Sequence, residues 1–488
     1  MSDNKTTPDF VNKYRVLTSE NIKKIHAGTL ELLEDLGVTV MHEKGLDILS
    51  DAGAKVDRKT RNVKIPAHIV EKCIHAAPKS FVMAGRDPEN DLTIDMGGKI
   101  FSRNGGGPGH VEDMDSHQVR NATLADVKDY ARLVDAIDNI EIAAPIYAQD
   151  TPPQTRDIRV LAAMFASTTK HINMRLLHLS SLPYVIRMAE IVAGGKENLK
   201  KRPVITMLES PIAPLKIPDV LVETLFLCGE YGIPLEICSM PIAGATGPIT
   251  LAGSLLMSNV EMVTAIVLSQ LVHPGAPLVF TPRIMVMNMR NGHALTGSIE
   301  NALLAAAGVQ LAREAYQIPV NMHGPYTDSI ISDTQASMED TYFTMLPALA
   351  GANILTGAGH LEGGLFVSYT QLMVDSEITG VVQRAVQGFE VDANSLALDA
   401  IKRSVINQNL LTDPHTMANL RAIRVYKPKL LTREPRQTWL NEGSKTMEQR
   451  AREMARTLLA THETIPLEPF IQKELDQVIV GAAVELET

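Results

Sequence analysis

The chain of 488 residues carries 46 basic and 56 acidic side chains, a formal net charge of -10, and no basic tract of five or more; nucleic acid is not an expected partner. Hydrophobic residues make up 45% and charged residues 21%, an ordinary balance for a soluble globular protein. Cys73, Cys228 and Cys238 are scattered without paired spacing, which argues against a disulfide framework and a thiolate zinc site.

Residues up to about Thr18 read as a disordered or loosely docked arm, polar and without the basic-then-apolar order of a secretory signal, so a cytoplasmic location is the expectation. Apolar residues at three and four spacing behind a Ser cap predict a helix over residues 19–36, and a second follows at 43–51. Residues 53–56 and 62–65 read as an extended pair, and Pro66 opens a helix over 67–76. Strands are expected at 82–87 and 91–96. Residues 1–97 thus form an amino-terminal helical and β-ribbon lobe.

From Lys99 onwards the pattern becomes a strand followed by a helix, repeated. Strands are predicted at 99–103, 140–147, 171–175, 203–207, 233–238, 276–281, 318–322 and 353–356. Helices are predicted at 123–138, 155–168, 183–193, 218–231, 248–272, 298–316, 334–349 and 369–387. Eight such units are what a TIM (β/α)8 barrel requires, here over residues 98–393. An open doubly wound sheet needs no fixed number of units, so the count favours the barrel. The longest apolar runs, such as 262–272, fall short of a membrane span. Residues 394–488 form a carboxy-terminal helical extension, with helices at 446–461 and 468–481 that pack back on the barrel or cap a dimer.

In a barrel, ligands sit where loops converge at the carboxyl ends of the strands. This rule nominates Tyr147, Arg175, Glu209, Thr281, Arg283, His323, Tyr326, His360 and Phe366 as substrate-binding residues, with Tyr326, His360 and Glu362 as positioning candidates. Arg103 precedes the run RNGGGPGH, in which Gly105, Gly106 and Gly107 let backbone approach a ligand closely. That run lacks the spacing of a nucleotide loop. Neither H-x-H nor H-E-x-x-H occurs, so no metal site is assigned. The polar run from His110 to His117 reads as a solvated turn. Nothing marks an activated nucleophile, so the site is expected to bind and orient its substrate.

At PIAGATGPITLAG (241–253), TDSIISDTQASMED (327–340) and GANILTGAGHLEGG (351–364) the chain resembles the trimethylamine methyltransferase family. The likeness takes in RNGGGPG early and LTDPHTM, with Trp439 beyond it, late. It implies a TIM barrel that passes a methyl group from a methylamine to the Co(I) corrinoid of a separate small protein, with no cofactor held tightly by this chain. Archaeal trimethylamine enzymes of the family use pyrrolysine, whereas all 488 residues here are ordinary. The resemblance therefore points to the non-pyrrolysine branch, whose members demethylate quaternary amines such as glycine betaine.

The expected partners are a cognate corrinoid protein and a small quaternary amine, with a homo-oligomer open. Proline betaine, carnitine and γ-butyrobetaine remain alternative substrates. A metal-independent lyase or hydrolase would need an activated acid–base pair that spacing does not show. A non-catalytic betaine-binding barrel is the other alternative.

Overall fold

The computed structural model describes residues 14–97, 99–420 and 425–487. Its centre is a ring of eight parallel strands: β1 Phe101–Asn104, β2 Ile142–Ala143, β3 His171–Arg175, β4 Ile205–Glu209, β5 Leu235–Ser239, β6 Leu278–Pro282, β7 Asn321–His323 and β8 Ile354–Ala358. Each strand pairs in parallel with the next, and β8 pairs with β1. A bridge between Phe280 and Val320 joins β6 to β7 and closes the ring. The TIM barrel expected from eight strand–helix units is the fold found.

A main helix follows each strand: α1 Leu124–Asp135, α2 Arg156–Ser167, α3 Leu182–Ala193, α4 Asp219–Tyr231, α5 Leu251–Val272, α6 Ile299–Gln310, α7 Thr334–Ala350 and α8 Tyr369–Val386, with a short extra helix, Lys196–Lys201, after α3. Local chemistry sets their ends. A capping box of Thr123 and Asp126 opens α1, and Asp333 and Ser368 cap α7 and α8. The predicted helix over 298–316 divides, because α6 passes into a π-helical turn, Leu311–Tyr316. Before that turn, Gln310 Oε1 accepts the backbone N–H groups of Val16 and Leu17 at 2.8 and 2.9 Å. The expected amino-terminal arm is therefore docked from Tyr14; residues 1–13 lie outside the described residues.

Helix α5 is long and apolar enough to cross a membrane, unlike the shorter runs read from the sequence, but 78% of its most apolar stretch is buried. It packs against β5, β6 and the three helices of the amino-terminal lobe, Ser19–Asp35, Glu43–Asp51 and Ala67–Ala76. A helix enclosed on all sides needs no polar face.

The lobe is tied to the barrel by its sheet, in which Val38–Val40 pairs in parallel with Lys216–Ile217 from the loop after β4. The hairpin of Phe81–Met83 and Leu92–Ile94 packs Met83, Leu92 and Ile94 against Phe101, Ile142, Val279 and Ile354. It closes the amino-terminal end of the ring, leaving the carboxyl end open.

Strand β2 is much shorter than the predicted 140–147. The Asn104 side chain takes the place of a strand neighbour at Ala144, accepting its N–H at 2.7 Å and donating to its carbonyl at 2.8 Å, and Pro145 offers no N–H. The run from His110 to His117 is not a plain solvated turn. His110–Glu112 and Val119–Asn121 form a hairpin, added in parallel to Phe366–Ser368 and turned by Asp113, which accepts the Asp115 and Ser116 N–H groups.

The last helices lie against the barrel helices. Met447–Thr461 lies on α8 and α1, and Pro469–Leu486 lies on α2 and α3.

Candidate active site

The carboxyl ends of the strands enclose a cavity of about 380 Å³. Beneath the lining, Glu236, the second residue of β5, is 1% exposed and holds two arginines. Its Oε2 accepts from Arg103 Nη1 at 3.0 Å and Asn173 Nδ2 at 2.8 Å, and its Oε1 accepts from Arg283 Nη2 at 3.0 Å. Burial opposes ionisation of Glu236, but Arg103 and Arg283 outweigh it and hold the carboxyl below its ordinary value. Burial brings the Arg103 guanidinium down to about 10, so both arginines and the carboxylate are charged at neutral pH.

One wall is aromatic. The Tyr326 ring stacks on His323 with centroids 4.2 Å apart and planes 6° from parallel, and meets His360 edge-on at 5.0 Å. The Tyr326 hydroxyl donates to the Gly363 carbonyl at 3.1 Å. Neighbouring glycines make room for these rings. A Cβ at Gly105 would lie 2.3 Å from the His360 ring, and one at Gly364 would lie 2.2 Å from the Tyr326 hydroxyl.

Burial, reinforced by Arg283, keeps both imidazoles neutral: His323 falls well below its ordinary value and His360 to about 3.

Opposite, the Tyr147 hydroxyl donates to the Arg175 carbonyl, leaving its ring in the cavity wall. The Arg175 side chain also lines the cavity and makes no ion pair among the described residues. Three arginines thus line the cavity; Glu236 pairs with two of them, and Glu209 lies within electrostatic reach of Arg175.

The predicted residues divide. Tyr147, Arg175, Arg283, His323, Tyr326, His360, Gly106 and Gly107 line one cavity, and Gly105 backs His360. Glu209, Thr281, Glu362 and Phe366 do not line it. Glu209 is buried between the lining residues Leu208 and Ser210, and burial, opposed by Arg175, pushes its carboxyl up to about 7. Thr281 is fully buried. Phe366 packs with Ala336 and Leu361, and the Glu362 N–H donates to the Ser329 carbonyl at 2.7 Å.

Reading only strand ends missed Glu236, Asn173 and Cys238. Glu236 sits inside the apolar run IPLEICS, and a lone charge in a buried strand demands a partner, so a signal was there. Cys238 lines the cavity, but burial pushes its thiol up, so it is no thiolate nucleophile.

A closed β/α barrel with a cationic, aromatic-walled cavity at the carboxyl ends of its strands defines an enzyme of the TIM-barrel class that binds a small polar substrate there. The chain belongs to the trimethylamine methyltransferase (MTTB) family, whose model matches residues 2–485, and its members are corrinoid-dependent methyltransferases. It is 36% identical to a trimethylamine methyltransferase MttB of Desulfitobacterium hafniense, over 95% of this chain and 92% of that one. A glycine betaine methyltransferase from another strain of that species is 31% identical, over 97% and 98% of the two chains. The monomethylamine methyltransferase of Methanosarcina barkeri shares the fold, with a TM-score of 0.51 at 15% identity over 91% of this chain and 94% of that one.

Proposed function

We propose that this protein moves a methyl group from a quaternary amine bearing a carboxylate, glycine betaine foremost, to the corrinoid of a partner protein, leaving dimethylglycine. The observation that carries this reading is the charge of the cavity. Arg103, Arg283 and Arg175 stand against Glu236 and a Glu209 that burial leaves only partly ionised, an excess of positive charge that disfavours a simple alkylammonium and favours a ligand with its own anion. The relatives are named for trimethylamine and for glycine betaine; only the second carries a carboxylate. A cavity of about 380 Å³ lies at the small end of ligand sites, which suits a small betaine.

Arg175, which makes no ion pair among the described residues, is the group to hold the carboxylate by charge-assisted hydrogen bonds. The Tyr326 and Tyr147 rings then face the trimethylammonium, for about 0.5–2 kcal/mol per ring. His323 and His360, being neutral, add no repulsion. The quaternary nitrogen departs as a neutral tertiary amine, so no acid is needed, and the lining offers none. Because positive charge leaves the nitrogen with the methyl, the surrounding guanidiniums raise the bound substrate more than the transition state. The partner's corrinoid, when bound, supplies the Co(I) nucleophile. This chain supplies orientation for in-line attack. On this reading residues 98–393 are the catalytic barrel, with residues 1–97 and 394–488 as its flanking lobe and extension.

The test is incubation with the reduced corrinoid protein and a panel of betaines and carboxyl-free quaternary amines, following loss of Co(I) absorbance. Glycine betaine should be consumed. Arg175→Ala should lower kcat/KM for it about 100-fold, about 3 kcal/mol, and change little for tetramethylammonium. No reaction with any quaternary amine, and methyl transfer from trimethylamine instead, overturns the assignment of the substrate.

The mouth also suits the partner. Met240 and Leu365 line the cavity yet are exposed, and beyond Met240 the exposed Ile249 and Met289 flank Gly244. Flexible apolar side chains around an opening adapt to a docking protein. The pair Ile249→Asp and Met289→Asp should raise the KM for the corrinoid protein about 10-fold, about 1.4 kcal/mol, while turnover with free cob(I)alamin stays unchanged.

A further inference from the structure

The stretch 327–340, which carries part of the family resemblance, ends on Asp340, a carboxyl that does not line the cavity. Its side chain, on α7, is fully buried, and so is that of Asp375 on α8. The two carboxyls are within hydrogen-bonding reach of one another. The Gln371 amide bridges them, Nε2 donating to Asp340 Oδ2 at 2.9 Å and to Asp375 Oδ1 at 2.8 Å. Asp375 and Glu339, the charged groups that act on Asp340, are both acidic, so nothing near it favours a second negative charge.

The pair is bonded to the cavity wall. Asp375 Oδ2 accepts the Gly359 N–H at 2.7 Å, and Gly359 joins the end of β8 to His360. The Gly359 carbonyl accepts the Ser368 N–H at 2.8 Å, so this residue is held on both sides. Its φ is +92°, and a Cβ there would strike the Tyr130 hydroxyl, which itself donates to the Ala358 carbonyl at 3.3 Å. What fixes Gly359 therefore fixes the next residue, His360, whose ring meets Tyr326 edge-on.

We propose that Asp340 and Asp375 share a single proton in the folded protein and that this pair positions His360 in the cavity wall. Two carboxylates in contact in a dry site cannot both be ionised, and a proton between them turns repulsion into a charge-assisted hydrogen bond. Burial and the charge of Asp375 push the Asp340 carboxyl well above its ordinary value; burial also raises Asp375, but the Gly359 N–H, the bond from Asp340 and Gln371 oppose it. Asp340 is thus the donor, and Asp375 is the carboxylate that takes the Gly359 N–H. The other ionisable groups facing the pair are Glu339 and Tyr342 on α7 and Tyr130 on α1, with Tyr369 of α8 against Tyr130. Burial raises all three tyrosines, so they stay neutral. When the shared proton leaves, two like charges force α7 and Asp375 apart, and Gly359 and His360 move with Asp375. The link to methyl transfer rests on the reading of the cavity as the substrate site; the shared proton does not.

Asp340→Asn tests it, because an amide N–H takes the place of the acid proton and cannot be lost. With glycine betaine and the reduced corrinoid protein, the variant should match wild type at pH 7. Above the pH at which the proton leaves, wild-type kcat/KM should fall about tenfold per pH unit while the variant holds. Stability reports the same proton without any substrate. The folded wild type keeps it at pH values where the unfolded chain has lost it, so wild-type stability falls as pH rises above the ordinary carboxyl range, and the thermal midpoint of Asp340→Asn relative to wild type should climb with pH. A constant midpoint difference overturns the shared proton. A climbing difference with parallel kcat/KM profiles overturns the positioning role. A climbing difference with no methyl transfer from any quaternary amine supports the shared proton and overturns the reading of the cavity instead. Should Asp340→Asn fail to fold, Asp375→Asn, which fixes the donor on the other side of the pair, is measured in the same way and judged by the same outcomes.

Discussion

Replacing Glu236 with Gln is expected to destabilise the protein by about 3–5 kcal/mol, because removing one member of a buried ion cluster strands the others. Arg103 and Arg283 both depend on this one carboxylate, and at 4% and 10% side-chain exposure neither finds solvent in its place. The amide keeps the shape and one acceptor but loses the charge that two guanidiniums share. Thermal unfolding of Glu236→Gln beside the wild type measures the loss, and an unchanged midpoint would show that the cluster is not held by charge.

The effect has a pH signature. The Glu236 carboxyl is held below its ordinary 4.5 in the folded state, so its contribution is complete above that value and is lost as pH falls through the folded pKa. The wild type should therefore lose stability on acidification more steeply than the variant. Activity should fall with stability, since Arg283 carries the cavity wall beside Tyr326.

Tyr326→Ala is expected to lower kcat/KM for glycine betaine by at least about 100-fold. The ring is one face of the cation site and also the spacer between His323 and His360, so its loss removes about 0.5–2 kcal/mol of cation–π attraction and lets the imidazoles shift. Misplacement of a bound substrate by an ångström costs on the order of 10²-fold by itself. Tyr326→Phe keeps the ring and gives up only the bond to the Gly363 carbonyl, about 1 kcal/mol, and should stay within about fivefold of wild type. A wild-type rate for the alanine variant would remove the ring from the site.

Much of the fold was legible because a β/α unit writes itself in hydrophobic periodicity. Each of the eight strands and eight helices was found in its place, and β3 coincides with its predicted span, His171–Arg175. Apart from β2, which stops short, the errors at the carboxyl ends have a direction. Strands β4, β5, β6, β7 and β8 all run one or two residues further than their apolar patterns, to Glu209, Ser239, Pro282, His323 and Ala358. Polarity was taken as the end of a strand, whereas in a barrel the last rung of the ladder carries the polar side chains of the mouth.

The same bias shaped the reading of the site. Looking past the strand ends found Arg175, Arg283, Tyr326 and His360 but passed over Glu236 and Asn173, which sit within strands. It also admitted Thr281, Glu362 and Phe366, which end in the right region but face other neighbours.

The order of residues thus determined the number of strand–helix units, their sequence and the polar character of one end, since these depend on period and composition along the chain. Tertiary structure alone decided which side chains share the cavity, that one buried carboxylate serves two arginines 133 and 47 positions away, and that both histidines are neutral. Those facts depend on distances across a closed ring and on exclusion of water, and neither quantity is written in local sequence.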